Sequence, residues 1–183
     1  MPMHTDLISL RPLRWPDDRA SLLALDTSFT TDRLFRLEPT DRGFRLDDVT
    51  AEPPIRKSYS LDNVVDVIPS HDWVTIAEND GEIVGVASVT LETWNRRAVL
   101  QHLYVTRNAR KIGVGHELVK AALEAARNLN ARCLWVETQT INYGAVQFYR
   151  SMGFAWCGFD TSLYDPNDAG VNEVALFFSR DLR

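Results

Sequence analysis

The stretch that most constrains this chain runs from Arg96 to Asn130. "RRAVLQHLYV" alternates as a strand does, with Val99, Gln101, Leu103 and Val105 on one face and Leu100, His102 and Tyr104 on the other. After Gly115 come Leu118, Ala122, Ala125 and Leu129 at helical spacing, and Asn130 suits a left-handed cap. Between strand and helix lies Arg110-Lys111-Ile112-Gly113-Val114-Gly115. A helix N-terminus carries unpaired N–H groups and the positive end of the helix dipole. Glycines there let a ligand approach the backbone. The N–H groups of residues 111–116 can therefore converge on one anion, beside the charges of Arg110 and Lys111, and a pyrophosphate is the natural guest. Gly-x-Gly alone also fits a plain tight turn. No Gly-Lys-Ser/Thr follows, so this is no Walker loop. The third glycine of the dinucleotide fingerprint is missing too.

The remaining elements surround this unit. "DLISLRPL" reads as a first strand, and "WPDDRASLLALD" as a short helix started by Pro16 and Asp17. "RLFRLEPTDRGFRLDDV" reads as a hairpin turning at Gly43, and "AEPPIRKSY" as an extended, proline-stiffened connector. "WVTIAEND" and "EIVGVASVTLET" form a hairpin about Asp80-Gly81. "ARCLWVETQ" is a strand with Cys133, Trp135, Glu137 and Gln139 on one face. "NYGAVQFYRSMGF" is a helix closed by Gly153, and "AWCGFDTSLY" and "NEVALFFSR" pair across the "DPNDAG" turn. The expected fold class is mixed α/β (α+β), in one domain over residues 1–183 with no internal repeats.

The chain has 183 residues, enough for one sizeable core, and a net charge of -5, which argues against a general nucleic-acid binder. No basic segment followed by an apolar run opens it, so a cytoplasmic protein away from membranes is expected. Cys133 and Cys157 lie outside any CxxC pair or histidine cluster, so no metal is expected and both read as buried structural thiols. His4 and His71 read as terminus and loop residues.

Arg110-x-x-Gly113-x-Gly115 after a strand resembles the acyl-CoA pyrophosphate loop of the GNAT N-acetyltransferases. A second block of that family is also present: Asn142, Ala145, Phe148 and Tyr149, then Gly153-Phe154. The resemblance covers residues 72–180 and extends to Leu7–Asp26. Within the family, "TWN", "VETQTIN", "FY", "GFDTSLYD" and "NEVALFF" look most like streptothricin acetyltransferases. The resemblance implies a mostly antiparallel sheet splayed at its centre, with helices on both faces. It implies acetyl-CoA as co-substrate, with pantetheine along Leu103, Tyr104 and Val105. The pyrophosphate would sit on Arg110, Lys111, Ile112, Gly113, Val114, Gly115 and His116, with Asn142, Ala145 and Tyr149 also near the cofactor. His116 by itself reads as a solvated turn residue.

The implied reaction is attack of a primary amine on a thioester. An alkylamine has a reference pKa of about 10.4, so a proton must leave it first. Tyr149 matches the family's acid, one that helps a thiolate depart, and a core tyrosine is the alternative. For the base, Glu137 is a carboxylate amid apolar neighbours, equally suited to a structural hydrogen bond. His102 is the second candidate, its alternative being a packed histidine. Streptothricin enzymes usually carry two acids where this chain has Gln101 and His102. Trp94, Gln101, Glu137, Gln139, Asp160, Tyr164, Asn172 and Glu173 are candidate acceptor-pocket residues. The expected activity is N-acetylation of a small cationic amine, foremost a streptothricin-type antibiotic. The alternatives are a polyamine, an amino acid or a protein amine as acceptor, or a CoA-binding regulator without turnover. A homodimer stays open.

Overall fold

The computed structural model of the chain describes residues 8–169 and 173–183. In chain order its elements are β1 (Ser9–Pro12), α1 (Arg19–Leu23), β2 (Phe29–Thr40), β3 (Gly43–Lys57), β4 (Trp73–Asn79), β5 (Glu82–Glu92), β6 (Arg97–Val105), α2 (Val114–Asn128), β7 (Cys133–Gln139), α3 (Tyr143–Ser151), β8 (Ala155–Asp160), α4 (Pro166–Ala169) and β9 (Ala175–Asp181). They belong to two compact units that interleave along the chain. One comprises Met1–Ser28, Ser58–Leu134 and Leu182–Arg183; the other comprises Phe29–Lys57 and Trp135–Asp181.

In the first unit β1, β4, β5 and β6 pair in that order, each antiparallel to its neighbour. The β4–β5 turn has Asp80 at φ 51° and Gly81 at φ 82°. A two-residue hairpin turn of this hand needs positive φ at both positions, which is why Asp-Gly serves it. Helices cover both faces. Leu22 of α1 packs in a buried cluster with Leu61, Val65, Ile68, Ile76 and Val86. A five-residue helix has no independent stability, so this packing holds it. Burying one such side chain contributes about 1.5–3 kcal/mol. On the opposite face, a Cβ added to Gly85 would meet the Tyr104 carbonyl at 2.8 Å, Leu118 Cδ1 at 3.1 Å and Val114 Cγ1 at 3.4 Å. Glycine at 85 is thus what lets α2 lie this close to β5. Asn130 ends that helix at φ 58°, in the left-handed cap expected of it.

In the second unit β9 lies between β7 and β8, and β8 and β9 run antiparallel. Its core is aromatic. Trp156 lies 4.2 Å from Phe178, and Tyr149 lies 5.7 Å from Phe154 and 6.2 Å from Phe178, centroid to centroid. The β2–β3 hairpin belongs to this unit. Phe35 anchors it, stacking on Tyr143 at 5.2 Å and meeting Trp156 edge-on at 5.6 Å. The Phe35 amide donates to the Thr140 carbonyl.

Several expectations need correction. The segment read as a connector is strand: β3 continues to Lys57, with Ile55 opposite Thr31. Pro53 and Pro54 fall in the register shift between the Thr31–Ile55 and Arg33–Thr50 pairs, where a proline's missing N–H costs no ladder bond. The "DPNDAG" turn holds the one-turn helix α4. Cys157 is exposed, while Cys133 is buried. The simple alternation of β6 also fails. Val89 opposes Leu100 and Ser88 opposes His102, so Gln101 is the extra residue of a β-bulge. Beyond it the faces exchange. Leu100 joins Leu103 and Val105 on the α2 side, and Val99 joins His102 and Tyr104 on the α1 side. The first strand expectation began at Asp6; residues before Ile8 lie outside the described residues, as do His4 and Asn172.

Candidate active site

In the first unit, β6 ends at Val105, a 3₁₀ turn spans Arg107–Ala109, and α2 begins at Val114. Lys111 (φ 68°) and Gly113 (φ 103°) both take left-handed backbone conformations. Such alternation of hand turns successive N–H groups toward a common point. No side chain caps the helix start, and the first amide bonded back into the helix is that of Glu117, to Gly113 O at 3.1 Å. The amides of Val114, Gly115 and His116 precede it and have no partner inside the helix. This is the chemistry of an anion cradle, and it fits a pyrophosphate.

Arg110 has a different task from the one its charge suggests. Its guanidinium donates to Val105 O at 3.0 Å, Ser28 O at 2.6 Å and Asp26 O at 3.2 Å. It therefore ties the loop to the end of β6 and to the Asp26–Ser28 segment, with each of its three nitrogens donating to a carbonyl. Lys111, Ile112 and His116 are exposed. His116 Nδ1 lies 3.5 Å from Glu117 Oε1. Leu103, Tyr104 and Val105 pair with Ala87, Val86 and Gly85 on the β5 side.

The bulge leaves Gln101 exposed and turns His102 into a row of rings. His102 stacks on His71 at 5.2 Å and on Tyr104 at 5.8 Å, and Tyr59 lies 6.5 Å beyond Tyr104. His71 Nδ1 and the buried Ser88 hydroxyl are 2.9 Å apart. Burial above all, with the neighbouring His71, pushes the His102 imidazole down to about 4. His71 is lowered as well, by burial. Both rings are neutral near pH 7, so His102 is a weak base there. Sequence reasoning placed His71 in a loop; nothing local signals that it will stack on β6.

In the second unit, Glu137 sits mid-strand on β7 in an alternating pattern, with Trp135 and Gln139 on the same face. Trp135 packs on Phe177 at 4.9 Å. Burial alone pushes the Glu137 carboxyl up to about 7. Oε1 of this carboxyl accepts a hydrogen bond from the Tyr164 hydroxyl. A carboxyl titrating near neutrality is matched to general-base work. Tyr149 is buried in the aromatic core, on α3. Asn142 caps that helix, its Oδ1 accepting from the Ala145 amide at 3.2 Å.

The other candidates divide. Glu173 is held by Lys57, whose Nζ lies 2.6 and 2.8 Å from its two carboxylate oxygens. Its charge is thus already compensated, by a residue the sequence did not single out. Asp160 accepts from the amide and hydroxyl of Ser162, both at 2.7 Å, which holds its carboxyl below the usual range. Trp94 is 85% exposed in the β5–β6 turn. Arg97 and Asn95 pin that turn to Glu92. No cluster of three potential metal ligands exists among the described residues.

Residues 37–154 match the Acetyltransferase (GNAT) family model. The chain is 35% identical to the streptothricin acetyltransferase of Streptomyces lavendulae, over 96% of each chain. The crystal structure of nourseothricin acetyltransferase superposes with a TM-score of 0.86 at 36% identity, covering 96% of this chain and 99% of that one. A Bacillus anthracis protein solved in complex with acetyl coenzyme A superposes with a TM-score of 0.79 at 25% identity, with the same coverage. With its strand, glycine-containing loop and helix in the geometry described above, the chain belongs to the GNAT family of acetyltransferases.

Proposed function

We propose that this protein is an acetyl-CoA-dependent N-acetyltransferase, one domain over residues 1–183, that acts on a primary amine of a streptothricin-type antibiotic. The reading is carried by likeness over 96% of both chains to the Streptomyces lavendulae enzyme. Acetyl-CoA supplies the activated acetyl group as a thioester. The amides of residues 111–116 and the Lys111 charge hold its pyrophosphate, and Arg110 fixes the shape of that loop. The backbone of Leu103–Val105 guides the pantetheine. Glu137 attracts the cationic acceptor and takes its ammonium proton, since an amine attacks only when neutral. Tyr149 holds a donatable proton at its hydroxyl for the leaving side of the reaction. Kinetics are sequential, with no acetylated cysteine.

One observation favours another small amine. The two acids usual in the central strand of streptothricin enzymes are Gln101 and His102 here, and His102 is neutral near pH 7. An acceptor recognised by the neutral row His71, His102 and Tyr104 would carry less charge than streptothricin. A screen of amines with acetyl-CoA, following free thiol, decides between them. Turnover of streptothricin with a kcat/KM well above that of polyamines and amino acids is the expected result. Preference for another amine would replace the acceptor, and no turnover with any amine would leave a CoA-binding regulator.

A further inference from the structure

Among the described residues of the second unit, Glu137 is the acidic group that burial holds near neutrality, and its Oε1 accepts a hydrogen bond from the Tyr164 hydroxyl. That phenol stands in the short segment between β8 and α4, which folds through its own hydrogen bonds. Asp160 Oδ1 binds the Ser162 amide and hydroxyl, and Asp165 Oδ1 accepts from the Asn167 amide at 2.9 Å. Tyr164 is half-buried between exposed Leu163 and exposed Asp165. The segment thus turns a rigid side chain inward, with few torsions to freeze, onto one oxygen of the β7 carboxyl.

We propose that Tyr164 is a positioning residue for Glu137: its hydroxyl, donated to Oε1, fixes the orientation of the carboxylate and favours the ionised form that accepts the acceptor's proton. The inference rests on the reading of Glu137 as the base. The physical case has three parts. A hydrogen bond from a neutral O–H to a carboxylate is short and strong, and it favours the charged form. A phenol has a reference pKa of about 10, so it stays a donor throughout the range in which Glu137 titrates. The remaining members of the Glu137 face, Trp135 and Gln139, carry no charge, and no neighbouring charge contributes to its shift. Burial pushes the carboxyl toward protonation; the Tyr164 hydroxyl opposes it.

The test is the titration of the Glu137 carboxyl carbon, followed by NMR in the full-length protein, beside the pH profile of kcat/KM for the amine. In Tyr164→Phe the midpoint should rise by about one pH unit, the worth of one hydrogen bond to a charged group. The acidic limb of the rate profile should rise with it, cutting kcat/KM at pH 7 about fivefold, while the KM for acetyl-CoA stays put. Leu163→Ala, which loosens the same segment without touching the hydroxyl, should leave the midpoint in place. If Tyr164→Phe does not fold, a fluorotyrosine at 164 keeps the ring and strengthens the donor, and the midpoint should fall. A midpoint that stays put in folded Tyr164→Phe, or under the fluorotyrosine, overturns the role of Tyr164 and leaves that of Glu137 intact. Wild-type activity in Glu137→Gln overturns the base reading itself, and with it the purpose assigned to Tyr164.

Discussion

The two units prepare for charge in opposite ways. In the first, the 110–116 loop uses backbone: left-handed Lys111 and Gly113, an uncapped helix start, and an arginine whose three nitrogens each donate to a carbonyl that holds the loop in place. In the second, burial raises one carboxyl on β7 to about 7, and a phenol donates to its Oε1. His102 sharpens the contrast. Desolvation acts on it as on Glu137, disfavouring the charged form, yet the outcome is reversed. The imidazole falls to about 4 and drops out of the working range; the carboxyl rises to about 7 and enters it. Burial thus removes one candidate base and creates the other.

The largest expected effect tests the carboxylate. Glu137→Gln keeps the shape and removes the charge. It should lower kcat/KM for the amine by about a hundredfold to ten-thousandfold, the usual weight of a positioned base. The acidic limb near pH 7 should vanish, with acetyl-CoA affinity unchanged. His102→Ala should leave that limb where it is. If instead His102→Ala removes it, the roles of the two residues must be exchanged. Gly115→Val tests the loop next. A side chain where the pyrophosphate approaches should weaken CoA binding by roughly tenfold to a hundredfold, the loss of one or two hydrogen bonds to a charged group. The fold should survive, and calorimetry of CoA binding reads the change. Unaltered affinity in a folded variant would unseat the loop from its role.

Smaller effects fall on stability. Gly85→Ala puts a Cβ 2.8 Å from the Tyr104 carbonyl, which is backbone and cannot step aside. It should cost about 1–3 kcal/mol in a denaturant titration by forcing β5 and β6 apart and crowding α2. A neutral result would mean that β5 and β6 can part at no cost. The smallest effect concerns His102 again. Its folded pKa lies below its unfolded one, so the stability it contributes is present above about 6.5 and is lost as pH falls toward about 4. His102→Gln should flatten the stability curve across that window, by less than about 1.4 kcal/mol per pH unit. Glu137 has the opposite sign: its contribution is present below the unfolded value and lost as pH rises through about 7. Glu137→Gln should therefore flatten the neutral side of the same curve.

What the sequence determined by itself is what local geometry dictates. The Asp80-Gly81 turn, the strand before Arg107, the left-handed Gly113 ahead of α2 and the cap at Asn130 are each set by backbone preferences of a few adjacent residues, and each stands where expected. The alternation on β7 belongs here too, although Glu137 is half-buried where the sequence suggested full burial. What only the tertiary structure decided depends on partners far away in the chain. Gln101 bulges because β5 fixes the register on both sides of it. His71 meets His102 across 31 positions, Lys57 reaches Glu173, and Arg110 turns back to Asp26 and Ser28 instead of facing outward. Tyr164 could be suspected of belonging to the site, yet its partner could not be named from the residues around it. Pairings of this kind are chosen by the free energy of the whole packed unit, in which a buried polar group takes whichever partner the fold brings within reach. For that reason the backbone shape of the loop was legible from the chain alone, while the ionisation of His102 and Glu137 came only with the fold.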